Sequence, residues 1–100
     1  MIKVFISQPM KDKTDAQIKA EREKAIEDVK KQFGTDDIEI LDTFFENAPH
    51  DARPLWFLAK SLEFLSAADV AYFCKDWEQY RGCKIEHKCA EEYGIKTIEK

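Results

Sequence analysis

Apolar residues along the chain follow two spacings, one typical of buried strands and one typical of amphipathic helices. Short runs rich in β-branched and aromatic residues have the length of strands; they cover 2–7, 38–41, 70–74 and 95–99. Longer segments carry apolar residues every three or four positions, as on one helix face; they cover 15–33, 54–65 and 83–93. Strands that alternate with helices predict parallel pairing and right-handed crossovers.

Local residue choices mark where these elements begin and end. Thr14 and Gln17 form a Thr-x-x-Gln capping box, which predicts a helix that starts near residue 15. Gly34 and Gly94 stand where the first and last helices should stop. Pro54 occupies the first turn of the middle helix, where proline is tolerated.

The most economical arrangement of these elements is an α/β three-layer sandwich. It has a flavodoxin-like parallel sheet of four strands in the order 2-1-3-4, and its 100 residues form one domain, 1–100. In such a sheet, ligands bind in the crevice outside the carboxyl ends of the first and third strands. The residues there that we expect to bind a substrate are Ser7, Gln8, Pro9, Met10, Asp42, Trp77, Arg81 and Gly82.

Two exposed-looking aromatic residues, Phe44 and Phe45, follow the second strand in the loop that leads to the middle helix. A loop that leaves the end of a strand can cap a ligand pocket. The same two side chains could instead pack on the core or on a second subunit. The sequence leaves these alternatives open.

Charge and composition narrow the range of partners. The net charge is −4, and no group of basic residues exceeds the acidic residues that surround it in the sequence. Binding to nucleic-acid phosphates is therefore not expected. No apolar run approaches the roughly 20 residues that span a membrane, and no signal-peptide pattern precedes the first strand. Three cysteines, an odd number, indicate reduced thiols and a cytoplasmic protein.

Neither a metal nor a cofactor is expected. Cys83 and His87 lie four residues apart and would share a helix face, but the chain has no paired Cys-x-x-Cys spacing typical of zinc sites. It also has neither a GxGxxG motif nor a Walker loop, which disfavours a dinucleotide held by glycine-rich backbone.

The segment 54–65 is apolar almost all round, because Trp56, Phe57 and Phe64 extend its leucine stripe. A helix of this kind is usually buried on two sides. A chain of this length buries a modest core, so the second side is expected to be a subunit interface. The sequence therefore predicts a homodimer or a higher homo-oligomer.

Three carboxylates surround the third strand and its loop, namely Asp69, Asp76 and Glu86. Retaining cleavage of an N-glycosidic bond needs one carboxylate as a nucleophile and a second group that protonates the leaving base. Helix amides near Glu86 are expected to keep it ionised. Each residue also has a structural interpretation: Asp69 could cap a turn, Asp76 could form an Asx turn, and Glu86 could be an ordinary acid in a first helical turn.

The order of residues in this part of the chain resembles the nucleoside 2-deoxyribosyltransferase-like superfamily, and more closely a short branch of bacterial and phage proteins. The residues that carry the resemblance, after a first strand that runs into Pro9–Met10, are Asp69, Asp76, Trp77, Gly82, Glu86, Ala90, Tyr93 and Gly94. The resemblance implies that Glu86 is a nucleophile that forms a glycosyl ester. It also implies that Asp69 and Asp76 assist with the base and the sugar.

The chain departs from that superfamily in two respects. Gln8 stands where related enzymes usually have a glycine before the proline, which could narrow the approach of a ligand to the backbone. The chain is also shorter than the transferases of known activity. The binding residues that those enzymes carry after this point could come from a neighbouring subunit or be absent.

Two functions follow as expectations. The first is cleavage of the N-glycosidic bond, or transfer of the deoxyribosyl group, on a (deoxy)nucleoside or nucleotide, with Glu86, Asp69 and Asp76 as catalytic residues. The second is a non-catalytic module that binds a nucleotide in the same pocket, as a sensor or a sponge.

Overall fold

The computed structural model describes residues 1–41, 43 and 48–100. A 3₁₀ turn at Trp77–Gln79 precedes the last helix. The strands are β1 (Ile2–Ser7), β2 (Ile38–Leu41), β3 (Val70–Phe73) and β4 (Lys96–Glu99), and the helices are α1 (Asp15–Phe33), α2 (Pro54–Leu65) and α3 (Arg81–Glu92).

The four strands form one parallel sheet in the order β2-β1-β3-β4. Val4 of β1 is opposite Val70 of β3, and Val70 in turn is opposite Lys96 of β4. On the other side of β1, Ile2 is opposite Ile38 of β2. The predicted α/β class and the strand order 2-1-3-4 are both confirmed, with β3 inside the sheet.

Helices cover both faces of the sheet. Because successive residues of a strand point to opposite sides, the strands contribute side chains to two separate cores. The core on the α1 side consists of Val4, Ile6, Ala25, Val29, Tyr72 and Cys74. The core on the α2 and α3 side consists of Phe5, Leu41, Leu65, Ala71, Phe73 and Ala90. The molecule is therefore a three-layer sandwich, with one helix on one face and two on the other.

The predicted start of α1 and the predicted stop signals after α1 and α3 are confirmed by hydrogen bonds and dihedral angles, whereas α3 begins at Arg81, two residues before its predicted start. Thr14 Oγ1 accepts the Gln17 N–H at 3.1 Å, and Gln17 Oε1 accepts the Thr14 N–H at 2.9 Å, which completes the capping box. Gly34 has a φ of 61° and Gly94 a φ of 71°, in the left-handed region that glycine adopts most readily.

Helix α2 keeps two large apolar side chains exposed in the part of the chain that the structure describes. Leu65 is its one buried residue, whereas Leu55 is 72% exposed and Phe57 is also exposed. Residues 1–41, 43 and 48–100 thus leave Leu55 and Phe57 of this helix exposed. Among the residues that the structure describes, no helix has the length and apolar character needed to cross a membrane.

Candidate functional site

A cavity of about 950 Å³ lies beyond the carboxyl end of β1, in the crevice that the sheet topology predicts. Its walls come from the β1–α1 loop, from the first half of α2 and from the first turns of α3. The volume is within the range of small-molecule sites. Apolar side chains form most of the wall, and Glu86 is the one acidic residue among the described residues that line it.

Glu86 is the sixth residue of α3 and lies on the buried face of that helix, with Cys83 and Ala90. It is only 8% exposed. Ser7, at the end of β1, donates a hydrogen bond from its Oγ to Glu86 Oε1 at 2.7 Å. The Ser61 hydroxyl approaches the same carboxyl from α2 as a weaker hydrogen-bonding partner. Three elements thus fix one carboxyl group at the cavity wall.

Burial raises the pKa of Glu86 to about 7, and the hydrogen bonds from Ser7 and Ser61 oppose this rise without cancelling it. The expectation that helix amides keep Glu86 fully ionised is therefore wrong. Glu86 lies past the first turn of α3, where the influence of the helix dipole has faded. The carboxyl can consequently take up or release a proton near neutral pH, as acid–base catalysts do.

Cys83 lies one turn before Glu86 and also lines the cavity. Burial raises the pKa of the Cys83 thiol to about 11, although a hydrogen bond with Ser7 acts in the opposite direction. The thiol is therefore protonated at neutral pH and is a poor nucleophile. Of the two reactive side chains on this wall, Glu86 is the one that ionises in the physiological range.

Gln8 links the β1–α1 loop to α1. Its Nε2 donates to the Ile18 carbonyl at 2.8 Å and to Glu21 Oε1 at 3.3 Å. Gln8 is 6% exposed and lines the cavity, and its Oε1 is buried without a hydrogen-bond partner among the described residues. A buried acceptor that lacks a donor is costly, so this amide oxygen is an unsatisfied polar group next to the cavity.

Most of the predicted substrate-binding residues come together here. Ser7 contacts Glu86, and the residues that line the cavity include Gln8, Pro9, Met10, Arg81 and Gly82. A Cβ built on Gly82 would meet no atom within 4 Å, and its backbone is not left-handed. The fold therefore does not require glycine at this position, which faces open space.

Asp69 lies at the amino-terminal end of the parallel strands, whereas the cavity lies at their carboxyl end. Its Oδ2 accepts the Lys3 backbone N–H at 2.8 Å, and its own N–H donates to the Lys3 carbonyl at 2.8 Å. Because Asp69 precedes β3, it belongs at the amino-terminal end of a parallel strand. These contacts make it a residue that pairs β1 with β3.

Asp76 and Trp77 follow β3, but neither is among the residues that line the cavity. Asp76 is exposed and has a φ of 71°, a left-handed conformation that aspartate tolerates in turns. Trp77 stacks on His87, with ring centroids 4.1 Å apart, and also contacts Phe73. Asp76 is thus a turn residue and Trp77 belongs to a packed aromatic cluster, so the structure places neither of them at the cavity. The predictions for Asp42, Phe44 and Phe45 lie outside the described residues.

Several lining residues were not anticipated. They include Lys11, Arg53 and Ser61, together with the exposed apolar side chains Leu55 and Phe57. A sequence signal for Ser61 was available, since it is a small polar residue three positions after Leu58 and next to Leu62, on the leucine stripe of the helix. Lys11 and Arg53 gave no such signal, because isolated basic residues in loops are common on any surface.

The cavity does not coincide with a cluster of metal ligands. Within 1–41, 43 and 48–100, no group of three or more histidine, cysteine or acidic side chains comes together in a way that could hold a metal ion. His87 instead contacts Glu99 Oε1 through Nε2 at 2.7 Å. Comparisons of this chain with known protein families, curated proteins and solved structures return no match.

Proposed function

We propose that this protein cleaves the N-glycosidic bond of a (deoxy)nucleoside or nucleotide, or transfers its deoxyribosyl group, with Glu86 as the nucleophile. The observation that supports the proposal most strongly is a buried carboxyl that faces a ligand-sized cavity and receives a hydrogen bond from Ser7 at 2.7 Å. The resemblance of the chain to the nucleoside 2-deoxyribosyltransferase-like superfamily points to the same residue.

In the proposed reaction, ionised Glu86 attacks the anomeric carbon, and the bond from that carbon to the base breaks. The bonding electrons leave with the base, which must gain a proton. A glycosyl ester on Glu86 then reacts with water, which gives hydrolysis, or with a second base, which gives transfer. Ser7 orients the attacking carboxylate, because its hydroxyl holds Oε1 in one direction.

The source of the proton differs from the expectation. Asp69 and Asp76 do not line the cavity, so we assign protonation of the leaving base to solvent water rather than to either residue. In hydrolysis the hydroxide that remains is consumed when the glycosyl ester is cleaved, so the net reaction uses one water molecule. In transfer the hydroxide takes the N–H proton of the second base, so no water is used overall. The exposed position of Arg81 among the lining residues supports access for that water.

Base release from a panel of deoxynucleosides and their 5′-monophosphates tests the proposal. We expect release of at least one base by the wild-type protein, and a loss of roughly 1,000-fold or more in Glu86→Gln, which keeps the shape but removes the nucleophile. Ligand binding to this variant should stay within about tenfold of wild type.

Glu92→Gln is the matched control, since Glu92 is an exposed glutamate on the same helix that pairs with Lys88. It should release base at the wild-type rate. Full activity in Glu86→Gln would remove Glu86 from the nucleophile role. Absence of turnover in the wild-type protein on every substrate of the panel would count against the enzyme altogether.

The alternative is a non-catalytic module that binds a nucleotide as a sensor or sponge. One observation favours it: Glu86 is the only acidic residue among the described residues that line the cavity. When protonated, Glu86 would act as a hydrogen-bond donor to a ligand rather than as a nucleophile. Tight binding of a nucleotide without release of its base would support this function.

We further propose that the protein is a cytoplasmic homo-oligomer, most simply a dimer formed through α2. The exposed apolar side chains of α2, Leu55 and Phe57, support a second copy as its cover, and both also line the cavity mouth. The thiols of Cys74, Cys83 and Cys89 are all free, which supports a reducing compartment. A monomer by light scattering at micromolar concentration would contradict the dimer.

A further inference from the structure

The mouth of the cavity carries basic side chains from three separate segments. Lys11 comes from the β1–α1 loop, Arg53 precedes α2, and Arg81 is the first residue of α3. All three are exposed, and none forms an ion pair or side-chain hydrogen bond with another described residue. In a chain with a net charge of −4, this is a local excess of positive charge.

The amino termini of two helices add to this positive field. Arg53 and Tyr80, the residues that precede α2 and α3, make no side-chain capping hydrogen bond, and neither helix has an acid in its first turn. Helix α1 differs, because Thr14 caps it and Asp15 lies in its first turn. Backbone N–H groups at an uncapped amino terminus favour anions.

Two further groups bear on what the cavity holds. Gln8 places a neutral amide side chain at the inner wall, where it is 6% exposed and its Nε2 is held by the Ile18 carbonyl. Glu86 is the one acid among the described lining residues and lies at the inner wall, away from water. A ligand that suits both ends of the cavity would have a negative group at the mouth and a polar neutral part inside.

We infer that the ligand of this cavity is a small phosphate monoester whose phosphate lies at the mouth between Arg53, Arg81 and Lys11. A phosphate monoester has a charge of about −1.5 to −2 at neutral pH and several strong acceptor oxygens. Arginine binds such a group in a bidentate manner. The identity of the phosphate ester as a nucleotide rests on the proposed function, whereas the recognition of its phosphate does not.

The basic residues cluster at one cavity mouth rather than along a groove, which favours a small ester over a polynucleotide. The flanking positions Asp12 and Asp51 are acidic and exposed, and they would repel the neighbouring phosphates of a nucleic-acid strand. A single phosphate has no such neighbours. The inference therefore concerns a small molecule, in agreement with the acidic balance of the chain.

The test compares 2-deoxyribose 5-phosphate with 2-deoxyribose by NMR titration of the wild-type protein, with inorganic phosphate as a third probe. These probes have no base, so the result does not depend on catalysis. We expect the sugar phosphate to bind at least tenfold more tightly than the sugar, with shifts at the Gly82 and Cys83 amides and weaker binding at high salt. Comparable binding of inorganic phosphate would support recognition of the phosphate group itself.

Two variants that remove positive charge, one at the cavity mouth and one away from it, complete the test. Arg53→Gln with Arg81→Gln should reduce the preference for the phosphorylated sugar to less than about threefold. Lys88→Gln, at an exposed position on α3 that pairs with Glu92, should leave it unchanged. Equal affinity for sugar and sugar phosphate, or a preference that survives in the double variant, would overturn the inference. Base release with no preference for monophosphates would leave the proposed enzyme standing while this inference fails.

Discussion

Two neighbouring residues of α3, Glu86 and His87, have opposite environments. Glu86 faces a cavity, is almost fully buried and has its pKa raised to about 7 by burial. His87 faces the β4 side, where its ring stacks on Trp77, meets Phe73 edge-on and contacts the Glu99 carboxylate at 2.7 Å. The same helix therefore carries a desolvated glutamate on one side and, on the other, a histidine whose ring has stacking and hydrogen-bonding partners.

This difference distinguishes a candidate active site from structural packing. The His87 cluster uses the hydrogen-bonding and stacking capacity of its members within the chain, so a ligand would gain little there. The Glu86 side leaves groups unused, namely the Gln8 amide oxygen and the unpaired basic side chains at the mouth. Unsatisfied groups that persist in a folded protein are more typical of sites that bind something.

The largest expected effect concerns the pH dependence of stability. Glutamate has a pKa near 4.5 in the unfolded chain and about 7 in the fold. The unfolded chain therefore releases this proton first, and Glu86 makes the free energy of unfolding fall as pH rises from about 4.5 to 7. The fall should be about 3 kcal/mol.

Urea denaturation at pH 4, 6 and 8 checks this for wild type and Glu86→Gln. The variant lacks this contribution, so its stability relative to wild type should rise with pH and level off above pH 7. Glu92→Gln should show no such rise. A difference between Glu86→Gln and wild type that is constant across this range would mean that Glu86 is not desolvated.

The second expected effect is on the His87 side. His87→Ala removes a ring whose side chain is 13% exposed, together with its stacking on Trp77 and its contact with Glu99. We expect a loss of about 2 kcal/mol in the free energy of unfolding. His50→Ala, at an exposed histidine in a turn, is the control and should change stability by less than about 0.5 kcal/mol.

Activity measurements sharpen the same comparison. If the His87 cluster is structural, His87→Ala should retain base release within about threefold once the fraction folded is taken into account. A large loss of activity in a stably folded His87→Ala protein would show that the two sides of α3 do not divide as we describe.

The smallest expected effect concerns Glu99. The hydrogen bond with His87 lowers the pKa of the Glu99 carboxyl, with a smaller contribution from Thr97. The stabilisation is therefore present above the ordinary pKa of 4.5 and disappears as pH falls below it. Because the Glu99 side chain is 47% exposed, Glu99→Gln should cost no more than about 1 kcal/mol at pH 7. Equal loss of stability at pH 3 and pH 7 would contradict this role.

The fold was predictable because its signals are local. The capping box at Thr14 and Gln17 and the glycines at positions 34 and 94 each act within a few residues, and strand–helix alternation leaves few topologies. The parallel sheet and its order follow from those signals together with handedness. The position of Asp69 could also have been predicted in this way, since a residue that precedes a parallel strand lies at the end of the sheet opposite the crevice.

The candidate site was only partly predictable, because it depends on which side chains meet across elements. The spacing of Cys83, Glu86 and Ala90 places Glu86 on an apolar stripe, which indicates burial and a raised pKa rather than an ionised acid. The position of Trp77 beneath α3, and the contribution of Ser61 from α2, depend on helix packing that no local pattern specifies. Position in the fold, more than residue type, determined which predicted residues reached the cavity: Arg81 begins α3 at the cavity, whereas Asp69 precedes β3 at the other end of the strands.

The central claim is that the Glu86 carboxyl is held at the cavity as a group that titrates near neutral pH. A ¹³C NMR titration of the glutamate side-chain carboxyls, with Glu86 assigned by its absence in Glu86→Gln, measures this directly. We expect one carboxyl with a pKa of about 7, well above those of the exposed glutamates. A Glu86 carboxyl that titrates near the ordinary value of 4.5 would contradict the account.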